Sequence, residues 1–306
     1  MTATITLWAV ILAVVSVVFA IPASIPRDKD TSRTSSVSQV EVHSFKPYTF
    51  YAASAYCLPT TTIDWSCGQN CAANPNFIPV AAGGDGSFTQ YWFVGYDPEL
   101  DEVIVSHQGT DVLAIVPVLT DGDTASLPLN PQLFPGVDPS VLVHDGFASE
   151  QAATSQSVLT AVINATAAFG TNKITTVGHS LGAAISLLDA IYLHLQVPTA
   201  QVRFVGYGSP RVGTATFVDW VDTLPIEVNH IANKKDLVPI LPPMLLGFHQ
   251  ISGEIHIDEL NQWINCPGHD NPSSLCTAGD VDLVLNFQLS DHAGPYDGVM
   301  MEFCPT

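Results

Sequence analysis

Residues 175–195 read TTVGHSLGAAISLLDAIYLHL and place a serine, Ser180, between two contrasting segments. The preceding segment is β-branched, which favours a strand, and the segment that follows is a long apolar run typical of a buried helix. Gly178 and Gly182 stand two positions either side of the serine. Glycine at these positions permits a sharp turn without side-chain collisions, so the pattern predicts a nucleophilic serine at a strand-to-helix turn. A chance G-x-S-x-G in a loop is the alternative interpretation.

A serine hydroxyl is a weak nucleophile that needs a base, and the base needs an acid to orient it. In α/β hydrolases the three residues follow the chain order serine, acid, histidine. Asp236 lies where a strand-like run meets several prolines, and His292 lies in a loop flanked by glycine and proline. A helix starting at Leu181 would also aim backbone N–H groups at an anion beside Ser180. We therefore predict a catalytic triad of Ser180, Asp236 and His292.

Other residues compete for two of these roles. Rival histidines must follow the acid in the chain, which excludes those before or beside Ser180. The remaining alternatives for the base are His249, His256 and His269, and those for the acid are Asp258 and Asp291.

Strand-like and helix-like segments alternate through the chain after an N-terminal hairpin that turns at Asp97-Pro98. This alternation predicts a mostly parallel central sheet with helices on both faces. With the serine turn it predicts an α/β-hydrolase fold. The strand-like runs lie at 174–180, 202–210 and 226–236, and the helix-like runs at 147–169, 181–195 and 214–223.

Composition limits the class of protein. Of the 306 residues, 47% are hydrophobic and 12% charged, which is typical of a globular chain rather than a disordered one. Nine basic against 29 acidic residues give a net charge of −20. This charge repels phosphate backbones, so nucleic acid is excluded as an expected partner.

The N-terminus predicts export. Residues 1–20 carry an apolar run without charged side chains and end in small residues, as a secretory signal peptide does; a signal anchor is the alternative. Residues 21–44 are interpreted as a flexible leader or propeptide, and residues 45–306 as a single domain. The rest of the chain offers no stretch long enough for a membrane helix. We therefore expect a secreted, extracellular protein with no transmembrane segment in the mature chain.

Six cysteines in an exported chain favour three disulfides. Spacing suggests two local loops, Cys67–Cys71 and Cys266–Cys276, which leaves Cys57 for Cys304. A zinc site is the alternative for the first pair, but no second pair follows at zinc-finger spacing.

Five segments together resemble the fungal class 3 lipase family, which includes secreted mono-, di- and triacylglycerol lipases and feruloyl esterases. The resemblance extends from about Tyr48 to Cys304 and implies an α/β-hydrolase fold with a serine triad at the three residues predicted above. It implies neither a metal nor an organic cofactor. The segments are VHDGF (143–147), VGHSLGAA (177–184), VGYGSPRVGTATFVDWV (205–221), NKKDLVPILPP (233–243) and DHAGPYDG (291–298).

The same resemblance implies an oxyanion hole at the Gly109-Thr110 step, with the backbone N–H groups of Thr110 and Leu181 as donors. His107-Gln108 stands where the family often has an aromatic residue and arginine.

The family usually carries a lid over the active site in the segment that follows the oxyanion step. Here residues 112–119 are uncharged, and Pro117 predicts an interrupted or kinked helix and a lid that is partly open at rest. Burial of this segment in the core is the alternative. The residues expected to line the lid or acyl groove are Val112, Leu113, Ile115, Val116 and Leu119.

The sequence therefore predicts a monomeric secreted lipase that cleaves acylglycerol esters at an oil–water interface through an acyl-enzyme. A feruloyl or other short-chain or aryl carboxylesterase of the same fold is the alternative enzyme. A catalytically silent binding module is the alternative outside enzymes.

Asn164 is expected to carry an N-linked glycan, because Asn164-Ala-Thr is the only N-x-S/T site whose middle residue is not proline. Treatment of the protein expressed in a fungal host with an N-glycosidase should lower its mass by the weight of a glycan. An unchanged mass would contradict the assignment.

Overall fold

The computed structural model describes residues 33–120, 125–283 and 286–304, which belong to one compact unit. The signal peptide expected at residues 1–20 and the first part of the expected leader lie outside the described residues. Within the described ranges, no helix is both long and apolar enough to span a bilayer.

The described residues contain thirteen strands. They are β1 (Ser35–Ser36), β2 (Ile78–Gly83), β3 (Trp92–Asp97), β4 (Glu102–His107), β5 (Ser126–Pro128), β6 (Leu142–His144), β7 (Lys173–His179), β8 (Gln201–Tyr207), β9 (Gly213–Thr214), β10 (Glu227–Asn233), β11 (Phe248–His249), β12 (Glu254–Ile257) and β13 (Trp263–Cys266).

The α-helices of the described residues range from single turns to seven turns. They are α1 (Gln39–Ser44), α2 (Lys46–Ser54), α3 (Pro59–Thr62), α4 (Gly68–Ala72), α5 (Val112–Thr120), α6 (Asp145–Phe169), α7 (Leu181–Gln196), α8 (Ala215–Val221) and α9 (Thr277–Asp280). Short 3₁₀ helices occur at Val238–Ile240, Met244–Leu246 and Leu289–Asp291.

A nine-stranded sheet forms the centre of the molecule, in the order β1-β13-β12-β10-β8-β7-β4-β3-β2. The pairs from β4 through β7, β8 and β10 to β12 are parallel, and the pairs at both ends of the sheet are antiparallel. The predicted hairpin is β3–β4, and the predicted mostly parallel sheet is confirmed. A second, four-stranded sheet, β11-β9-β6-β5, was not expected from the sequence.

Apolar side chains fill both faces of the main sheet, because residues along a strand alternate between faces. Ile174 of β7 and Phe204 of β8 belong to one core cluster, which contains the inner faces of α6 and α7. Val177 and Val205 belong to a second cluster with the aromatic residues of α2. Helices therefore cover both faces, as an α/β-hydrolase fold requires.

The expected flexible leader does not extend over residues 33–44. Strand β1 pairs with β13 and adds residues of the expected leader to the sheet edge. Ser38 caps α1 by accepting a hydrogen bond from the Glu41 N–H at 3.2 Å. Val37 and Val42 are buried in the second core cluster. These two buried valines hold the segment to the domain. The average composition of the segment, which is mostly polar, did not indicate this.

Pro117 does not interrupt the segment at 112–119, so the expectation of an interrupted helix is wrong. The partly open lid stays a prediction. Helix α5 is continuous from Val112 to Thr120, with proline at its sixth position. Proline at this position lacks the N–H that would bond the Leu113 carbonyl, so the helix loses one intrahelical hydrogen bond and the remaining turns persist. Asp111 satisfies three N–H groups of the first turn: its side chain accepts from Leu113 at 2.7 Å, and its carbonyl accepts from Ala114 at 2.9 Å and from Ile115 at 3.0 Å.

Three disulfides are present: Cys57–Cys304, Cys67–Cys71 and Cys266–Cys276. These are the pairings expected from spacing. The first joins residues 247 positions apart and ties the chain after α2 to the C-terminal segment. The other two close local loops.

Removal of the long-range disulfide should destabilise the protein more than removal of a local one, because the entropy of the unfolded chain rises with the length of the loop released. We expect the Cys57→Ser/Cys304→Ser variant to lose roughly 5 kcal/mol of unfolding free energy and the Cys67→Ser/Cys71→Ser variant roughly 2 kcal/mol. Urea denaturation measures both. Equal losses would contradict the loop-length argument.

Candidate active site

Ser180 occupies the turn between β7 and α7 in a left-handed backbone conformation, with φ 59° and ψ −128°. A non-glycine residue in such a conformation costs energy, and the surrounding structure must hold it there. The Ser180 N–H donates to the Tyr207 carbonyl at 2.9 Å, and the Ser180 carbonyl accepts from the Ala183 N–H at 3.0 Å. These bonds to β8 and to the first turn of α7 fix the serine at the turn.

The two glycines around the serine are required by close backbone approaches. A Cβ on Gly178 would lie 2.2 Å from the Gly182 carbonyl oxygen, and a Cβ on Gly182 would lie 2.2 Å from the His107 carbonyl oxygen. Both distances are much shorter than a van der Waals contact, and both contacted atoms belong to the backbone. The turn therefore admits only glycine at each position.

Asp236 and His292 form a buried pair. Asp236 follows β10 and His292 lies in a loop near the C-terminus, and His292 Nδ1 is 2.8 Å from Asp236 Oδ2. Both side chains are almost fully buried. With Nδ1 held by the carboxylate, Nε2 is the ring nitrogen that can exchange a proton with another group.

The structure brings this pair to the serine turn. The ring centroids of His292 and His179, the residue before Ser180, are 4.4 Å apart. Ser180 Oγ and His292 Nε2 are both buried and have no hydrogen-bond partner among the described residues. The three residues predicted as a triad therefore occupy one buried site.

The rival residues make other contacts. His256 is held between the Leu275 and Lys234 carbonyls, His249 contacts Asp270, and His269 contacts Asp222. The two alternative acids accept backbone N–H groups in turns: Asp291 accepts from Lys235, and Asp258 accepts from Leu260 and Gln262. None of these contacts involves Ser180.

The Gly109-Thr110 step lies against the serine turn. A Cβ on Gly109 would be 3.0 Å from the Ser180 Cβ and 2.5 Å from the His179 carbonyl oxygen. Leu181 is the first residue of α7, so its N–H belongs to the helix end that favours negative charge. This arrangement places both predicted oxyanion donors, Thr110 and Leu181, on segments that adjoin Ser180.

A second buried pair supports the segment before Gly109. His107 Nε2 is 2.7 Å from Asp189 Oδ2, and the Gln151 amide donates to Asp189 Oδ1 at 2.8 Å. All three side chains are buried. The residue that departs from the family pattern is therefore anchored to α6 and α7.

A hydrogen-bonded chain through His179 joins three distant parts of the sequence. His179 Nε2 donates to the His292 carbonyl at 2.8 Å, and His179 Nδ1 therefore accepts from the Tyr56 hydroxyl at 2.6 Å. Burial, together with the neighbouring His292, lowers the pKa of His179 well below its usual value. A neutral His179 with this tautomer holds the histidine loop to the serine turn.

Two groups of side chains have the donor types of a metal site. His179, His292 and Glu302 lie close together, as do Glu254, Cys266 and Cys276. The two histidines already use their ring nitrogens in the bonds described above, apart from His292 Nε2. The two cysteines form a disulfide and offer no thiolate. Neither donor set fits a resident metal ion.

The residues expected in a lid or groove divide between two environments. Ile115 and Leu119 are buried in the main core cluster, and Val112 and Val116 pack beside it. Leu113 is 69% exposed. The inner face of α5 therefore belongs to the core, and an apolar outer face meets the solvent.

Asn164 is exposed on α6, which satisfies the geometric condition for the predicted glycan; the modification itself stays a prediction.

The sequence argument missed Tyr56 and Glu302. Glu302 Oε1 lies 4.0 Å from His292 Nε2. Both residues stand two positions or fewer from a cysteine of the Cys57–Cys304 disulfide. The predicted Cys57–Cys304 pairing was the available signal that the segments containing Tyr56 and Glu302 meet. It did not indicate that they meet at His292.

Comparisons with known proteins agree with this geometry. A sequence profile described as lipase (class 3) matches residues 104–246. Secreted mono- and diacylglycerol lipase 3 of Gibberella zeae is 31% identical over 221 residues, covering 70% of this chain and 68% of that one. Secreted mono- and diacylglycerol lipase LIP4 of Malassezia restricta is 29% identical over 206 residues, covering 66% of each chain. The chain thus spans about two thirds of the length of these relatives.

The fold also matches that of solved structures. The native Rhizomucor miehei lipase propeptide complex superposes with a TM-score of 0.76 at 22% identity, covering 89% of this chain and 85% of that one. Similarity at this identity shows a shared fold.

The buried neutral His179 should make stability depend on pH. Its pKa is lower in the folded than in the unfolded chain, so the folded state binds fewer protons and the contribution of His179 to stability is lost as the pH falls through about 6.5. The unfolding free energy of the wild type minus that of His179→Gln should therefore shrink by about 1.4 kcal/mol between roughly pH 7.5 and roughly pH 5.5.

Urea denaturation of both proteins measures this difference. A third measurement near pH 8.5 is the control and should match the value near pH 7.5. A difference that does not change at the acidic pH would contradict the buried neutral histidine.

Proposed function

This chain belongs to the class 3 lipase family, and we propose on that basis that it is a secreted serine hydrolase that cleaves carboxylic esters of acylglycerols. The observation that carries the proposal is the buried His292–Asp236 pair, at 2.8 Å, beside Ser180 in its constrained turn. A histidine that is oriented by a carboxylate and lies beside a serine is the arrangement that activates a serine hydroxyl.

The first half of the reaction forms an acyl-enzyme. His292 Nε2 takes the proton of Ser180 Oγ as the oxygen attacks the ester carbonyl, and Asp236 holds the ring and stabilises its positive charge. The negative charge that develops on the carbonyl oxygen accepts hydrogen bonds from the N–H groups of Thr110 and Leu181. His292 then gives its proton to the leaving alkoxide, the C–O bond breaks, and the alcohol departs.

The second half of the reaction regenerates the serine. A water molecule loses a proton to His292 Nε2 and attacks the acyl carbonyl, passing through a second tetrahedral oxyanion. Collapse of this intermediate returns the proton to Ser180 and releases the carboxylic acid. Atoms and charges balance without a metal or an organic cofactor.

The proposed substrates are acylglycerols. Two relatives are named mono- and diacylglycerol lipases, and this chain shares their family. The uncharged helix α5, which follows Thr110, offers apolar side chains next to the oxyanion step. Each acyl CH₂ removed from water contributes about 0.8 kcal/mol, so an acyl site bordered by this helix favours long chains over acetate.

The enzyme is proposed to act as a monomer and at a lipid surface. The outer face of α5 presents Leu113 and Val118 to solvent, at 69% and 55% exposure. In the 3₁₀ helix Met244–Leu246, Leu245 is 94% exposed. Exposed apolar side chains of this kind support contact with an oil–water interface. Export through an N-terminal signal agrees with the secreted relatives.

Alanine substitution of Ser180, Asp236 or His292 should each lower kcat on a long-chain ester by roughly 10⁴-fold or more, because each acts as part of one unit. His249→Ala and His269→Ala are the control variants and should keep wild-type rates. Circular dichroism checks folding, and fluorophosphonate labelling should be absent from Ser180→Ala.

Hydrolysis of methyl ferulate distinguishes the proposed lipase from the alternative aryl or short-chain esterase. The proposal expects kcat/KM on a long-chain acylglycerol to exceed that on methyl ferulate and on short-chain esters. The reverse order would favour the aryl or short-chain esterase. A His249 or His269 variant that loses activity while His292→Ala retains it would contradict the triad.

A further inference from the structure

A polar cavity of about 260 Å³ lies beside the proposed oxyanion step. Thr110 and its neighbours Gln108 and Asp111 line one side, and Tyr56 and Glu302 line the other. The cavity differs from the apolar surroundings of α5, which begins immediately after Asp111. The mechanism described above leaves this cavity and Glu302 without a role.

Glu302 is held at this cavity by the backbone. Its φ of 71° is in the left-handed region, which a glutamate adopts only when neighbouring structure imposes it. Cys304, two residues later, is bonded to Cys57, which follows the cavity residue Tyr56. The disulfide therefore tethers both walls of the cavity to each other.

The Glu302 carboxylate has an acceptor atom available. Its side chain is only 22% exposed, and within the described ranges the buried Oε1 has no hydrogen-bond partner. Burial raises the pKa of Glu302, with a smaller opposing effect of His292 and further contributions from the carboxylates of Asp111 and Asp236. A carboxylate that has lost part of its hydration gains from a substrate group that donates a hydrogen bond to it. Asp111, in contrast, already uses one oxygen for the Leu113 N–H.

The position of Glu302 places it beside the alcohol half of the ester substrate rather than the acyl half. His292 Nε2 delivers a proton to the leaving oxygen, so the alcohol half of the ester must lie at this nitrogen. Glu302 Oε1 is 4.0 Å from the same nitrogen. A hydroxyl on the carbon next to the ester carbon is separated from the leaving oxygen by one O–C–C–O unit, which matches this short span.

We propose that the cavity binds the free hydroxyl vicinal to the scissile ester of a partial glyceride, with Glu302 as the hydrogen-bond acceptor. The proposal rests on the proposed ester hydrolase function and adds the residue that recognises the alcohol. A triacylglycerol has no free hydroxyl to donate, so it leaves the carboxylate unpaired. Glu302 is thus a residue that determines specificity for partly acylated polyols.

Three oleate esters of three-carbon alcohols test the proposal without changing the acyl chain. They are 2-hydroxypropyl oleate with a vicinal hydroxyl, 3-hydroxypropyl oleate with a displaced hydroxyl, and propyl oleate with none. A hydrogen bond to a charged group corresponds to roughly a 10-fold to 100-fold effect. For the wild type, kcat/KM on the 2-hydroxypropyl ester should exceed that on either other ester by at least about 10-fold.

Variants of Glu302 test whether this residue is the hydrogen-bond acceptor for the substrate hydroxyl. In Glu302→Leu, which lacks an acceptor, the ratio of the 2-hydroxypropyl to the propyl ester should fall to about one. In Glu302→Gln, which keeps a neutral acceptor, the ratio should be intermediate. Glu259→Gln carries the same chemical change on an exposed turn and should keep the wild-type ratio.

Equal wild-type rates on the two hydroxypropyl esters would overturn the proposal, as would an unchanged ratio in the Glu302 variants. Because the wild-type comparison uses unaltered protein, it decides the question even if Glu302→Leu does not fold. Absence of Ser180-dependent hydrolysis of all three esters is a separate result, which overturns the ester hydrolase function and this inference with it.

Discussion

The left-handed conformation of Ser180 is the constraint on which the site depends. It is possible only because Gly178, Gly182 and the His107 carbonyl approach one another more closely than a Cβ permits. This packing brings the end of β7, the start of α7 and the segment after β4 to one point. The proposed nucleophile and both proposed oxyanion donors are therefore positioned by the same close contact.

His292, the proposed base, reaches this point from a remote part of the chain, and hydrogen bonds hold it there. Tyr56 binds His179, His179 binds the His292 carbonyl, and the His292 ring binds Asp236. The two bonds made by His292 are buried and the Tyr56–His179 bond is partly buried, so an unpaired polar group would be costly there. The chain of bonds thus couples the geometry of the serine turn to that of the histidine loop. The Cys57–Cys304 disulfide ties the two segments that flank this network.

The two sides of the site differ in chemistry. Helix α5 is uncharged and apolar, whereas the cavity between Thr110 and Glu302 is polar. An ester substrate has the same asymmetry, with a long acyl chain on one side of the carbonyl and an oxygen-bearing alcohol on the other. Asp111 stands at the border, since it caps α5 and also lines the cavity. Because of this division, one short loop, which contains Thr110 and Asp111, borders both the proposed acyl site and the cavity proposed for the alcohol.

The sequence by itself determined the alternation of strands and helices, the serine turn, the chain order of the proposed acid and base, and the pairing of cysteines, because each depends on local pattern or on spacing along the chain. Tertiary structure alone decided that residues 33–44 join the sheet edge, that Pro117 lies within a continuous α5, and that Ile115 and Leu119 are core residues. It also placed Glu302 against His292 and Tyr56 against His179. These contacts join residues 10 and 123 positions apart in the chain, and no local periodicity encodes which distant side chains meet across a buried site.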